Sequence, residues 1–365
     1  MGIEVMIYIY GAVCVSMIGF NVAYAILLRS SQPRLEKRTQ RLTQAIQAQL
    51  ARLEQGQPVS SRHLARLRRR LLQVKNLTAF DLALRPMVQK EPRISDYLAQ
   101  LQPAILYLAV VYRKRENVQA AYFSYFLSRY VLPKHLPIQS LQEVLLEYMD
   151  KNNLYCCVNA LQALCAFGSP EHIVAALKIQ DQGSVFLHEK ILTETLLSYT
   201  GDHDQLIGLL WEQMPTFSPR TQLALLNYIR FRSGGYVREM FEIMEDRTQD
   251  KEIRLAAIRY FGRYTYPPAL EPLLAFAGDD APDHWEYATV SVSSLAHYQD
   301  ERVVRVLKKA LHSSNWYVRY AAAASLEARH MDYEDLLDIV SGNDRYAREM
   351  MTYQLESHKM QKAEV

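Results

Sequence analysis

Trp316 to Glu327 reads WYVRYAAAASLE, and degraded copies of this stretch recur upstream at a nearly constant spacing. WEYATVSVSSLA, from Trp285 to Ala296, aligns with it at an offset of 31. Ile253 to Gly262 (IRLAAIRYFG) fits the same frame 34 residues further back, and Leu223 to Arg230 (LALLNYIR) lies 32 before that. Tyr155 to Lys178 and His188 to Trp211 superpose at an offset of 33, pairing Val158 with Ile191, Leu164 with Leu197, Gly168 with Gly201 and Leu177 with Leu210. Six units are visible. Self-similarity at this period marks stacked supersecondary units, none of which buries its apolar face alone. The expected fold class is all-α, an α-solenoid.

Each unit reads as two amphipathic helices around a short Gly, Asp or Pro turn. Asp250 and Asn315 are suited to cap first helices, Pro267 and Pro268 to break before Leu270, and Ser233 to Gly235 to turn between helices. The run Ala321 to Ala324 lets a first helix approach its neighbours closely, while Leu326, Leu336 and Leu337 fill the space between layers. Trp285 and Trp316 hold equivalent positions, which predicts a stacked tryptophan ladder along one edge. Upstream, Ala120 to Val131 and Pro137 to Met149 form one more predicted pair, and Ser95 to Tyr112 a capping helix. Downstream, Asn343 is placed to cap a last helix from Arg345 to Glu356.

Val318, Arg319, Ala322, Ala323, Ser325 and Leu326 carry a resemblance to the HEAT-repeat family, as do Ile253, Arg254, Ala257 and Gly262. The likeness spans roughly Leu154 to Val340, is sharpest in the last three units, and departs from the family pattern at Glu327, where glycine would stand. It implies HEAT-like helix pairs whose second helices line a concave surface. There Arg302, Arg305, Lys308 and Lys309 would form either a basic patch able to receive an acidic protein segment or a plain solvated helix face.

At the other end, the 24 residues from Val5 to Leu28 contain no formal charge. As a helix rising ~1.5 Å per residue they would reach ~36 Å, enough to span a bilayer. Tyr8, Tyr10 and Tyr24 suit the two interfaces. Ala23, Tyr24 and Ala25 also make an Ala-x-Ala cleavage site, but Glu4 with no Lys or Arg before the run, and the length of the run, favour an uncleaved single-pass anchor. Ala12, Ser16, Gly19 and Ala23 put small side chains on one face, which permits close packing of another transmembrane helix.

From Arg29 to Lys75 there are twelve basic residues and two acidic ones, +10 in all. By the positive-inside rule the N-terminus is outside and everything after Leu28 is cytoplasmic. With the chain at +3 and Glu4 the one charge before Arg29, the residues after Lys75 carry −6. The overall basicity is therefore local, and no nucleic-acid partner is expected. The basic segment reads as a helical hairpin: Leu35, Leu42, Ile46, Leu50 and Leu53 make one apolar stripe, Gly56 and Pro58 break it, and Leu64, Leu67, Leu71 and Val74 make the second. Arg62, Arg66, Arg69 and Arg70 are free to face anionic lipid headgroups at about 1 kcal/mol each, or else form a solvated face beside the membrane, basic because topology demands it. The expected domains are a transmembrane anchor (1–28), a basic juxtamembrane hairpin (29–75) and the HEAT-like solenoid with its caps (76–365).

No catalytic constellation appears. Cys156, Cys157 and Cys165 lie close together without a Cys-x-x-Cys and read as small core hydrophobes, with Cys14 in the span. His188 and Glu189 lack a second histidine at ligand spacing, and Gly278 to Asp283 lacks the alternating oxygens of a calcium loop. Neither a metal, a cofactor nor a small-molecule substrate is expected.

The combination resembles membrane-anchored bacterial HEAT proteins. That likeness implies a tethered scaffold for a protein partner, an integral membrane enzyme or complex such as a polysaccharide glycosyltransferase. HEAT-like folds also include phycobilin lyases and alkylpurine DNA glycosylases, so an enzyme of either type, or a nucleic-acid-binding solenoid, is the alternative. The anchor and the acidic repeat region speak against it.

Overall fold

The computed structural model describes the backbone of residues 3–130 and 139–363, and the side chains within them except at 3–7, 25–31 and 358–363. Val131 and Pro137, at the joint of one predicted pair, lie outside the described residues. All regular structure among those described is helical. The chain forms two compact units, 1–186 and 187–365.

The first unit holds α1 (Ile3–Glu54), α2 (Ser61–Leu71), α3 (Val74–Leu84), α4 (Met87–Lys90), α5 (Ile94–Gln100), α6 (Gln102–Arg113), α7 (Asn117–Tyr130), α8 (Gln139–Met149), α9 (Leu154–Phe167) and α10 (Pro170–Gln182). Here α7 packs along α9, while α6, α8 and α10 follow one another in a second layer. Tyrosines stitch that layer to its predecessors: Tyr112 Oη donates to the Leu71 carbonyl at 2.7 Å, and Tyr148 Oη to the Ala109 carbonyl at 2.7 Å. Both rings are fully buried, so each hydroxyl needs the partner it has.

Three expectations change in this unit. The capping helix predicted over Ser95 to Tyr112 is two helices, α5 and α6, meeting at 58° around Leu101. Pro103 sits at the start of α6, where a missing N–H costs nothing, and it cannot continue α5. The hairpin is not a self-packed pair: α1 lays Leu42, Ile46 and Leu50 against α3 and α5, whereas α2 packs on α6 and α3. Val74 opens α3 instead of closing α2, so the domain boundary expected after Lys75 falls inside a helix.

The second unit holds α11 (Glu189–Leu197), α12 (His203–Glu212), α13 (Pro219–Arg232), α14 (Val237–Glu245), α15 (Lys251–Phe261), α16 (Leu270–Ala277), α17 (Trp285–Leu295), α18 (Glu301–Ala310), α19 (Trp316–Ala328), α20 (Leu337–Val340) and α21 (Arg345–Ala363). The odd-numbered helices α11 to α21 pack each on the next, α16 packs on α18, and α14, α16, α18 and α20 each lie on the first helix of the following pair. Ala322 and Ala323 are fully buried, as the close approach of α19 to its neighbours requires.

Buried hydroxyls carry the repeat register. Ser294 Oγ donates to the Ile258 carbonyl at 3.0 Å and Ser325 Oγ to the Val292 carbonyl at 3.1 Å, so equivalent serines on α17 and α19 reach the preceding first helix. Each such bond contributes about 1 kcal/mol net and leaves a costly orphan if its donor is lost. Gly262 lies against Ser294 so closely that an added Cβ would sit 3.2 Å from its Cα.

Caps follow the sequence with one exception. Asp250 Oδ1 accepts from the Glu252 amide at 2.8 Å and Asn315 Oδ1 from the Tyr317 amide at 2.8 Å. The last helix is capped by Asp344, which accepts from the Tyr346 and Ala347 amides, and not by Asn343. A carboxylate one residue closer to the helix reaches both orphan amides and adds favourable charge to the dipole.

His203 Nδ1 lies 2.6 Å from the buried Tyr228 hydroxyl. Burial, then the Arg232 charge, lowers its pKa from the ordinary 6.5. The unfolded chain therefore takes up a proton first on acidification, and the contribution of neutral His203 is lost as pH falls from about 6.5 through the lower folded value. Thermal unfolding should show a melting temperature that declines below that pH, and His203→Gln should flatten part of the decline. His63, 2.9 Å from the Tyr97 hydroxyl and also lowered by burial and then Arg66, supplies the same sign in the first unit.

Candidate functional site

The amino-terminal helix α1 has two halves of opposite character. From Tyr8 to Tyr24 every side chain is exposed except the half-buried Cys14, and ten of them are large and apolar. Removing such side chains from water is worth about 2 kcal/mol apiece when complete, so cover over this face is worth on the order of 10 kcal/mol. Among the described residues no single helix is long and apolar enough to cross a membrane; Tyr8–Tyr24 is a shorter apolar helix. Val5 to Ile7 and Ala25 to Leu28, which complete the uncharged run, lie outside the described side chains. The bent pair α5–α6 has the composition of a span, but Ile94, Tyr97, Leu98, Leu108 and Tyr112 are buried in the first unit's core.

Ala12, Ser16, Gly19 and Ala23 are all exposed, and a Cβ on Gly19 would meet nothing within 4 Å. The small-residue face is thus open. Beyond it α1 continues through Pro33 into the half that packs by Leu42, Ile46 and Leu50, so one helix joins the uncovered segment to a folded core.

Cations follow that junction along α1 and recur on α2. Arg34, Lys37, Arg38 and Arg41 share one face of α1 by their helical spacing. On α2, Arg62, Arg66 and Arg69 lie opposite the buried Leu67 and Leu71, with Arg70 beside them. These four of the five α2 arginines are exposed, and none of the eight cations has an ion-pair partner among the described residues. Arg68 instead rests on the Tyr107 ring at 4.8 Å.

The patch expected on α18 has a different environment. Arg302 bonds Asp300 at 3.0 Å and Glu271 at 2.5 Å, Lys308 pairs with Asp338 at 2.8 Å, and Lys309 with Asp280 at 2.9 Å. These pairs run to neighbouring helices and loops of the stack, leaving Arg305 as the exposed cation without an ion pair among the described residues. Their charge is already answered, so an acidic segment would have to displace existing carboxylates.

The tryptophan ladder takes another form. Trp285 stacks on Tyr317 at 5.3 Å, and Trp316 turns outward onto Tyr320 at 5.2 Å, half exposed. One position beyond the tryptophan, the tyrosine ring lies nearer the preceding helix. Cys156, Cys157 and Cys165 are buried and unbridged, and burial pushes the Cys165 thiol up to about 12, which keeps it protonated and unreactive. Among the described residues no cluster of His, Cys, Asp and Glu is arranged to hold a metal ion.

One cluster escaped the sequence reading. Arg230, Arg259 and Arg263 converge on a cavity beside α13, α15 and α17. Arg230 and Arg263 stand 33 residues apart, one more than the offset between their two units, and that near-match was the available signal. No protein-family model matches the chain, and no curated protein matches it.

Proposed function

We propose that the protein is a membrane-tethered scaffold: a HEAT-like α-solenoid held at the cytoplasmic face by the amino-terminal half of α1, with the N-terminus outside, and binding an integral membrane protein. The observation that carries the reading is the seventeen-residue apolar stretch Tyr8–Tyr24, uncovered along its length yet continuous with a helix packed into the first unit. Hydrocarbon is the solvent in which such a surface is stable. The unpaired arginines of α2 support the orientation, because anionic headgroups of the cytoplasmic leaflet would supply their counter-charge. The neighbour-to-neighbour helices and the recurrent serine ties support a stacked-repeat scaffold, an architecture that offers extended binding surface without chemistry of its own. Tethering raises the effective concentration of that surface toward a partner in the same membrane. A membrane enzyme such as a polysaccharide glycosyltransferase is the class of partner this reading favours.

Affinity capture of the full chain from detergent-solubilised membranes should return a discrete integral membrane protein, and capture without residues 1–28 should lose it. Recovery of nucleic acid or a pigment by the shortened chain would replace the scaffold reading with one of the enzymatic or nucleic-acid alternatives. An active alkaline phosphatase fused to the C-terminus would reverse the orientation.

A further inference from the structure

The three arginines beside α13, α15 and α17 have no counter-charge among the described residues. Arg230 and Phe231 come from the last turn of α13, Arg259 from the last turn of α15, Gly262 and Arg263 from its end, and Thr289, Val290, Ser293 and Ser294 from α17. Together they line an open cavity of about 420 Å³. No carboxylate lies within ion-pairing distance of any of the three guanidinium groups among the described residues. Elsewhere in this unit Arg302, Lys308 and Lys309 have carboxylate partners and Arg254 and Arg319 donate to backbone carbonyls, while the exposed Arg305 has no ion pair among the described residues.

Arg230 shows the imbalance most clearly. Its Nε is shielded from solvent and has no hydrogen-bond partner among the described residues. A buried donor left unmade costs about 1–3 kcal/mol, more when the group is charged. Burial, then the charges of Arg259 and Arg263, lowers its pKa. The Phe231 ring faces two of them, with the Arg230 guanidinium at 4.7 Å and that of Arg263 at 5.8 Å.

From this geometry we infer a binding site for a phosphate monoester. A carboxylate needs one guanidinium fork; three converging forks match the charge and the several acceptor oxygens of a phosphate dianion. The Thr289 and Ser293 hydroxyls donate to helix carbonyls at 2.7 and 3.0 Å, so their remaining lone pairs accept hydrogen bonds from hydroxyls on the ligand body. The cavity volume falls in the range of small-molecule pockets, and Phe231 and Val290 supply its apolar wall. Such an ester is carried by soluble metabolites and by lipid headgroups alike. The inference does not depend on the scaffold reading.

The test is thermal unfolding of the full chain in detergent, with inorganic phosphate or glycerol phosphate compared with chloride at matched ionic strength. A parallel arm uses the chain reconstituted in phosphatidylcholine bilayers with and without phosphatidic acid. Saturable stabilisation by the soluble esters, weakened at least tenfold in apparent affinity by R259Q/R263Q, supports a free ester. Stabilisation by phosphatidic acid alone, abolished by the same change, supports a lipid source. Because the substitutions relieve like-charge repulsion, the variant should unfold no earlier than the parent in chloride. Equal responses of parent and variant, no response in either arm, or earlier unfolding of the variant in chloride would overturn the site. Arg263→Gln alone, at an exposed position, should give an intermediate loss and guards against a folding artefact.

Discussion

Replacing Val15 and Phe20 with aspartate should move the protein from the membrane fraction to the soluble fraction. Both side chains are about 70% exposed on the uncovered half of α1 (71% and 70%), and neither touches the folded core. A charge at the centre of a spanning helix costs about 3 kcal/mol, so two amount to ~6 kcal/mol, on the order of 10⁴ in partitioning. Carbonate-washed membranes probed for the chain would read the change. Since Leu42, Ile46 and Leu50 hold α1 against α3 and α5, the released variant should keep the cooperative unfolding of the parent. Retention in the washed membranes would remove the anchor from the proposal.

Asp81→Ala should destabilise the first unit by about 3 kcal/mol, read as a lower urea midpoint. Asp81 is 2% exposed on α3 and accepts from Tyr130 Oη at 2.6 Å, Tyr122 Oη at 3.3 Å and Arg85 Nη2 at 3.1 Å. Burial pushes the Tyr122 and Tyr130 hydroxyls up, Tyr122 to about 12, so both remain donors that need an acceptor. Arg85 is half exposed and loses little when its partner goes; the phenols carry most of the cost. Asp81→Asn keeps an acceptor at the same place and should cost about 1 kcal/mol. A midpoint for Asp81→Ala within error of the parent would show that the tyrosines find other partners.

The helix succession was legible because its causes are local. Period, caps and small residues are written within a turn or two of where they act, as at Asp250, Asn315 and Ala322. The cation environments were not, because their partners sit about one repeat away. Arg302 meets Glu271 and Lys308 meets Asp338, 31 and 30 residues distant. A charge run examined along one helix looks unanswered when the answering carboxylates lie on its neighbours. The reverse holds for Arg230, which looks ordinary on its own helix and joins Arg259 and Arg263, four residues apart at the end of α15, only when the repeats stack. The hairpin failed for a related reason: α1 and α2 have complementary apolar stripes, but α3, α5 and α6 take those stripes first.

On the proposed reading, the single helix from Ile3 to Glu54 stands where a loose linker joins many tethered domains to their anchors. Pro33 removes one of its hydrogen bonds and gives it a bend point, but the main chain stays helical on both sides. A flexible linker would let the first unit sample all headings and would transmit no torque. A helical stem instead fixes its azimuth about the membrane normal, so that a turn of the span is a turn of the unit. On the proposed reading the stem is a drive shaft, and a partner gripping Ala12, Ser16, Gly19 and Ala23 inside the bilayer would set which face of the first unit it meets outside it.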